Sequence, residues 1–334
     1  MKPYYEDSAV QRLEDIGFYT LCDERARNIS VSSPLWRCEL IITDRCNFHC
    51  PYCRGIKAGL RGDISTTRAF QIIDTWAEGG LKNIRFSGGE PTLHHGLPMM
   101  IQYAKNRGVE RIAVSTNGSA ALGVYGDLIK AGCNDFSFSL DGCCSTEIDK
   151  MSGSEGYFDR IITNIRLLSE GVYVTVGIVI TEENIEQIAK TIDYAHRIGV
   201  ADIRIIPSAQ FNKYPRDLMN LNSELLEHPI LNYRINNLRN GRHVRGLRDS
   251  DSPKCYLVQD DMAVVGEYHF PCIIYLREMG QPIGKIDGDV RRERHDWFAN
   301  HDCFQDSICH DNCLDVCIDF NNKARRMSQS VLSL

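Results

Sequence analysis

Nine of the 14 cysteines fall into two groups: Cys46, Cys50 and Cys53, and then Cys255, Cys272, Cys303, Cys309, Cys313 and Cys317. In a reducing compartment, clustered thiols serve metal binding or catalysis rather than disulfides. The first group lies in Thr43-Asp44-Arg45-Cys46-Asn47-Phe48-His49-Cys50-Pro51-Tyr52-Cys53-Arg54-Gly55. A structural zinc site takes four ligands, and this run offers three thiolates with only His49 as a fourth. Three thiolates are what a four-iron cubane with one open iron requires, and an iron without a protein ligand can bind another molecule directly. Pro51 blocks regular helix between the second and third cysteines, so the loop can wrap a cluster. Spacing alone leaves iron–sulfur and zinc both open.

Four further runs carry polar chemistry at the ends of apolar segments. Ser87-Gly88-Gly89-Glu90-Pro91 pairs two glycines, which let backbone approach a ligand or simply make a tight turn. Ser115-Thr116-Asn117-Gly118, Ser137-Phe138-Ser139-Leu140-Asp141-Gly142 and Thr181-Glu182-Glu183-Asn184 fit helix capping one by one. Their shared placement after strands is the feature that points to a binding site, because ligand sites in parallel β/α folds gather where strands end.

The elements that must position these residues read as alternating β and α. Strands are predicted at Arg37–Thr43, Asn83–Ser87, Arg111–Thr116, Asp135–Leu140, Tyr173–Ile180 and Asp202–Ile206, with helices at Thr67–Glu78, Leu97–Asn106, Tyr125–Ala131, Tyr157–Ser169 and Ile185–Ile198. Six such units form either a doubly wound sheet or an incomplete barrel. Residues 1–36 are expected to be an extension with a helix at Ala9–Ile16, 37–215 the main domain, and 216–251 a polar, Arg-rich bridge. Residues 252–334 are expected to be a small metal-braced module with weak strand signals at Ala263–Val265 and Ile273–Tyr275. The remaining cysteines, Cys22, Cys38, Cys133, Cys143 and Cys144, read by default as small buried hydrophobes.

With 334 residues, 43% hydrophobic and 25% charged, the composition is that of a folded globular chain. The apolar run from Val172 to Ile180 is too short to span a bilayer, and the acidic start Met1-Lys2-Pro3-Tyr4-Tyr5-Glu6-Asp7 lacks the order of a secretory signal. A cytoplasmic location without membrane association is the expectation. The net charge of −6 gives no strong nucleic-acid signal.

The Cys-x3-Cys-x2-Cys spacing with Tyr52 before the third cysteine resembles the motif of the radical S-adenosylmethionine (SAM) superfamily. The resemblance implies a [4Fe–4S] cluster on Cys46, Cys50 and Cys53, with SAM chelating the fourth iron and Tyr52 beside it. Reduction would then break the C5′–S bond and send a 5′-deoxyadenosyl radical to a substrate. It also implies that Gly88, Gly89 and Glu90 hold the SAM amino group and that Asn117 and Ser139 contact ribose and carboxylate. A reductant such as flavodoxin or ferredoxin is implied as partner. The family fold is an incomplete (β/α)6 barrel, and the matches cover about residues 37–207.

The six later cysteines, Cys255-x16-Cys272 and Cys303-x5-Cys309-x3-Cys313-x3-Cys317, resemble the SPASM and twitch extensions that bind auxiliary [4Fe–4S] clusters. They depart from that pattern: Asn300 stands where a cysteine is expected, Gly266 is one residue too far from Cys272, and Cys317 follows early. One cluster on Cys255, Cys272, Cys313 and Cys317, or two clusters with Cys303 and Cys309 completed by His301, His310 or a substrate, are both open.

On the substrate side, Arg234, Arg239, Arg242, Arg245 and Arg248 with His243 read either as a solvated basic loop or as an anion clamp at the barrel mouth. The pair Cys143-Cys144 reads as filler or as a hydrogen donor near that mouth. Peptide or protein modification leads among functions, because SPASM-type relatives are mostly of that kind, although 36 residues before the first strand are few for a leader-peptide-binding domain. A sugar, aminocyclitol or nucleoside dehydrogenase, epimerase or isomerase is the alternative, drawn from the arginine run and an anionic substrate. A non-catalytic metal-binding protein would explain the cysteines but not the Gly-Gly-Glu run.

Overall fold

The computed structural model describes residues 29–30, 33, 35–55 and 59–331. In it six strands alternate with helices: β1 (Arg37–Thr43), α1 (Thr66–Glu78), β2 (Asn83–Gly88), α2 (Leu97–Asn106), β3 (Arg111–Thr116), α3 (Leu122–Ala131) and β4 (Asp135–Ser139). The series continues with α4 (Ser145–Ser152), α5 (Phe158–Ser169), β5 (Tyr173–Ile180), α6 (Ile188–Arg197) and β6 (Asp202–Pro207). The six strands pair in parallel in the order β6-β5-β4-β3-β2-β1. The predicted helix at Ala9–Ile16 lies outside the described residues.

Helices cover one face of this sheet with period-3.6 apolar stripes. Ile72, Ile73 and Trp76 of α1, Met100 and Ile101 of α2, Ile161 and Ile165 of α5 and Ile188 and Ile192 of α6 join the strand residues Leu40, Phe86, Val114, Phe136, Val176 and Ile203 in one core. The other face is polar at alternate positions, as period 2 requires. Arg85, Ser115, Ser137, Thr175 and Arg204, from β2 through β6, line a single cavity of about 420 Å³. Neighbouring strands stand ~4.8 Å apart, so side chains from so many of them meet in one cavity only if the sheet curls around it.

The cysteine-rich end continues the same sheet. β7 (Asp261–Val265) lies parallel beside β1, and β8 (Tyr268–Phe270) and β9 (Gly284–Lys285) follow antiparallel, leaving β6 and β9 as the two edges. Two local expectations fail here. Ile273–Tyr275 is not a strand but the start of α8 (Ile273–Arg277), because the Cys272 sulfur caps it by accepting from the Tyr275 N–H. The polar bridge contains α7 (Pro229–Arg239), which starts on Pro229 and buries Ile230, Leu231, Ile235 and Leu238. The chain ends in α9 (Val290–Asn300), α10 (Ser307–Asn312) and α11 (Asp315–Val331). Cys38 and Cys133 are buried, and burial pushes both thiols up, as inert filler requires.

Candidate active site

The first cysteine loop leaves β1 at Thr43 and is docked against the turn after β2. The Gly89 N–H donates to the Thr43 carbonyl at 2.8 Å and the Glu90 N–H to the Arg45 carbonyl at 2.8 Å. Both glycines are required by this approach. A Cβ on Gly88 would stand 2.2 Å from the Thr43 oxygen, at φ +150°, and one on Gly89 would stand 2.1 Å from the Arg45 oxygen. Arg45 fixes the loop from the other side through a forked pair with Asp63 (2.9 and 2.6 Å).

Two of the loop's three sulfurs take backbone donors: Phe48 N–H on Cys46 (3.4 Å) and Gly55 N–H on Cys53 (3.3 Å). Burial raises the Cys46 thiol and pushes Cys50 up to about 12, with the neighbouring thiols adding to both. Cys46 and Cys50 thiols that resist ionisation on their own, in a loop that offers N–H donors to thiolates, suit a bound cation that displaces their protons.

Glu90 is buried and faces inward. Its carboxylate accepts from Thr92 N–H (3.1 Å), Thr92 Oγ1 (2.6 Å), Thr116 Oγ1 (2.8 Å) and Asn117 N–H (2.7 Å), tying the Gly-Gly turn to the end of β3. This places Asn117 beside the cluster loop, where its amide donates to Asn47 Oδ1 at 2.9 Å and lies 4.0 Å from the Cys46 sulfur. Tyr52 donates to Asp141, whose carboxyl also accepts from Val179 N–H (2.6 Å) and is raised to about 6 by burial. Tyr52, Cys53 and Ser139 line the main cavity, whereas Gly88, Gly89, Glu90 and Asn117 do not.

The cavity wall carries seven arginines against four carboxylates, a surplus of three positive charges. Arg37 is matched by Asp261 (3.1 Å), Arg54 by Glu278, and Arg85 stands 3.9 Å from Asp135. Arg204, Arg245 and Arg277 meet neutral oxygens instead: Ser137 Oγ at 3.1 Å, the Pro207 carbonyl at 2.8 Å and the Gly88 carbonyl at 3.3 Å. Burial first, and then the Arg85 charge, lower Arg204 to about 10, and its Nε has no partner. These strand arginines were not singled out from the sequence. The available signal was a charged or hydroxyl residue at every second position of strands whose other face is wholly apolar.

Residues 40–195 match the Radical SAM superfamily. The chain carries a radical SAM domain. The domain's sequence is similar to a probable GTP 3′,8-cyclase of Metallosphaera sedula, 28% identical over 52% of this chain and 56% of the relative. It is also similar to an Fe-coproporphyrin III synthase of Methanosarcina barkeri, 32% identical over 46% of this chain and 39% of the relative. The chain thus spans about half the length of the curated relatives it matches. In fold it is similar to Streptococcus suis SuiB bound to S-adenosylmethionine, with a TM-score of 0.59 over 80% of this chain and 66% of that one at 16% identity. Among the described residues no helix is long and apolar enough to cross a membrane.

Cys272 and Cys317 also line the radical SAM domain's cavity. All six later cysteines line one smaller void of about 40 Å³ next to it. Cys255 precedes β7, Cys272 caps α8, Cys303 and Cys309 flank the start of α10, and Cys313 and Cys317 span the turn into α11. His301 joins Cys303 and Cys309 here, whereas His310 is exposed and pairs with Asp311.

The arginine run is neither a solvated loop nor one clamp. Arg234 is buried against Asp315 of α11 (1% and 0% exposed). Arg242 is held by Asp319 outside the cavity, and Arg239 donates to the Met219 carbonyl. Of the run only Arg234 and Arg245 reach the cavity wall. Cys143 and Cys144 do not line the cavity either. They line a surface depression with Phe158 and Tyr194, just before α4.

Proposed function

We propose that this chain is a radical SAM enzyme that acts on a small, anionic substrate held in the 420 Å³ cavity. The observation that carries the reading is the cavity itself. Its lining includes Tyr52, Cys53 and Ser139 as well as Cys272 and Cys317, and three of its arginines donate hydrogen bonds to neutral oxygens only. When bound, a [4Fe–4S] cluster on Cys46, Cys50 and Cys53 supplies the electron that cleaves SAM to a hydrogen-abstracting radical.

The chain's own residues do the rest. Gly88 and Gly89 leave room for SAM at the strand ends, Glu90 fixes Asn117 beside Cys46, and Tyr52 and Ser139 bound the space between SAM and substrate. SAM is itself a net cation, so it does not offset the arginine surplus. Arg204, Arg245 and Arg277 are the residues proposed to seat a phosphate or carboxylate, each charge-assisted contact being worth roughly 1.5–3 kcal/mol when desolvated. Cys255, Cys272, Cys313 and Cys317 are proposed to hold an auxiliary [4Fe–4S] cluster, positioned to exchange an electron with substrate. A flavodoxin- or ferredoxin-like reductant is the proposed partner.

Peptide modification is the second reading, supported by the fold likeness to SuiB, which has also been solved bound to its precursor peptide SuiA. A panel of phosphate esters, carboxylic acids, neutral sugars and peptides, each added to the reduced holoenzyme with SAM, separates the two. Phosphate or carboxylate compounds are expected to accelerate 5′-deoxyadenosine formation, and Arg204→Gln should raise their KM tenfold or more, ~1.4 kcal/mol. Acceleration by peptides alone would overturn the small-anion reading.

A further inference from the structure

Six thiols around one small void are two more than a single cubane uses. Two of them stand in a tight set with a histidine. The ligand atoms of His301, Cys303 and Cys309 all lie within 4.8 Å of one another, the one such set of three among the described residues, and Cys309 Sγ stands 3.5 Å from His301 Nε2. On a tetrahedral ion with Zn–S of about 2.3 Å and Zn–N of about 2.0–2.1 Å, neighbouring ligand atoms are ~3.5 Å apart. A cubane gives each iron one protein ligand and spreads its thiols over different irons. Cys46, Cys50 and Cys53 accordingly form no such tight set.

The trio is also held as a metal site is held. The His301 ring stacks on Trp297 at 3.9 Å, and its main-chain oxygen accepts from Lys254 Nζ at 2.8 Å. The Cys303 N–H donates to the Pro253 carbonyl at 2.8 Å. Asp306 receives the Cys309 N–H at 3.0 Å and the Tyr275 hydroxyl at 2.8 Å, fixing the first turn of α10 and with it the Cys309 sulfur. Cys303 is buried and His301 nearly so, at 5% and 15% exposed, which keeps bulk water from the ligand atoms.

We infer that His301, Cys303 and Cys309 bind one zinc ion, with an exchangeable oxygen ligand in the fourth position, separate from any iron–sulfur cluster. A Cys₂His set suits borderline-soft Zn²⁺, and three protein ligands leave its coordination open. The inference depends on the auxiliary-cluster reading only for the other four thiols, and its test does not use SAM cleavage.

Holoenzyme isolated without oxygen from cells supplied with iron and zinc is expected to hold about one zinc per chain. Zinc should fall to near zero in Cys303→Ser/Cys309→Ser with iron unchanged. X-ray absorption at the zinc edge of the unaltered protein, which does not rely on the variant folding, should show two sulfurs at about 2.3 Å and an imidazole nitrogen. Four sulfurs around zinc, zinc retained by the double variant, or iron in place of zinc at these ligands would overturn the inference. So would a Cys303–Cys309 disulfide with no metal. 5′-Deoxyadenosine formed by the same preparations reports separately on the radical SAM reading.

Discussion

Replacing Cys46, Cys50 and Cys53 together with alanine is expected to remove about four irons per chain and to reduce 5′-deoxyadenosine formation to the level seen without protein. The three sulfurs share one loop with two N–H donors aimed at them, and Cys53 of that loop lines the cavity together with Tyr52 and Ser139. The substitutions shorten side chains that are exposed or half-buried, so the fold should survive. Iron bound by Cys255, Cys272, Cys313 and Cys317 should remain, which makes the variant its own control. Iron analysis and chromatography of the reaction measure both effects. Unchanged SAM cleavage in this variant would show that the electron enters elsewhere.

The second large effect is on stability. Asp315→Ala should destabilise the fold by about 3–5 kcal/mol, because it strands the Arg234 guanidinium in an interior where both partners are almost wholly buried. Asp315 also accepts from Asn237 Nδ2 at 2.8 Å and the Val316 N–H at 2.7 Å, so the loss extends to the joint between α7 and α11. Replacing both partners by apolar residues, Arg234→Met with Asp315→Leu, should cost much less, since the pair's own desolvation is then avoided. Urea midpoints of the two variants test this. Equal losses would mean that Arg234 is solvated and that the joint rests on other contacts.

The parallel sheet was legible because its strands are continuous β-branched runs closed by polar turns, so that β1, β3 and β5 fall where periodicity places them. The first cysteine loop stood out because three thiols at fixed spacing have few uses other than metal binding. The curl of the sheet was written less openly, in Arg85, Ser137 and Arg204 alternating with wholly buried neighbours such as Phe86, Phe138 and Ile205. The run from Arg234 to Arg248 misled for a physical reason. Sequence shows charge but not what faces it, and Asp315 and Asp319 lie on α11, remote in sequence and close in space. Likewise Ile273–Tyr275 carries strand-like residues, and only the Cys272 cap makes it a helix. The gathering of His301, Cys303 and Cys309 ligand atoms within 4.8 Å is a matter of ångströms that spacing in the chain does not encode.

The central claim is that the first cluster cleaves SAM reductively. Protein isolated without oxygen, reduced with dithionite and mixed with SAM should yield 5′-deoxyadenosine and methionine in equal amounts, slowly without substrate and faster with it. An intact SAM pool over protein whose Cys46, Cys50 and Cys53 demonstrably carry a reduced cluster would contradict the account.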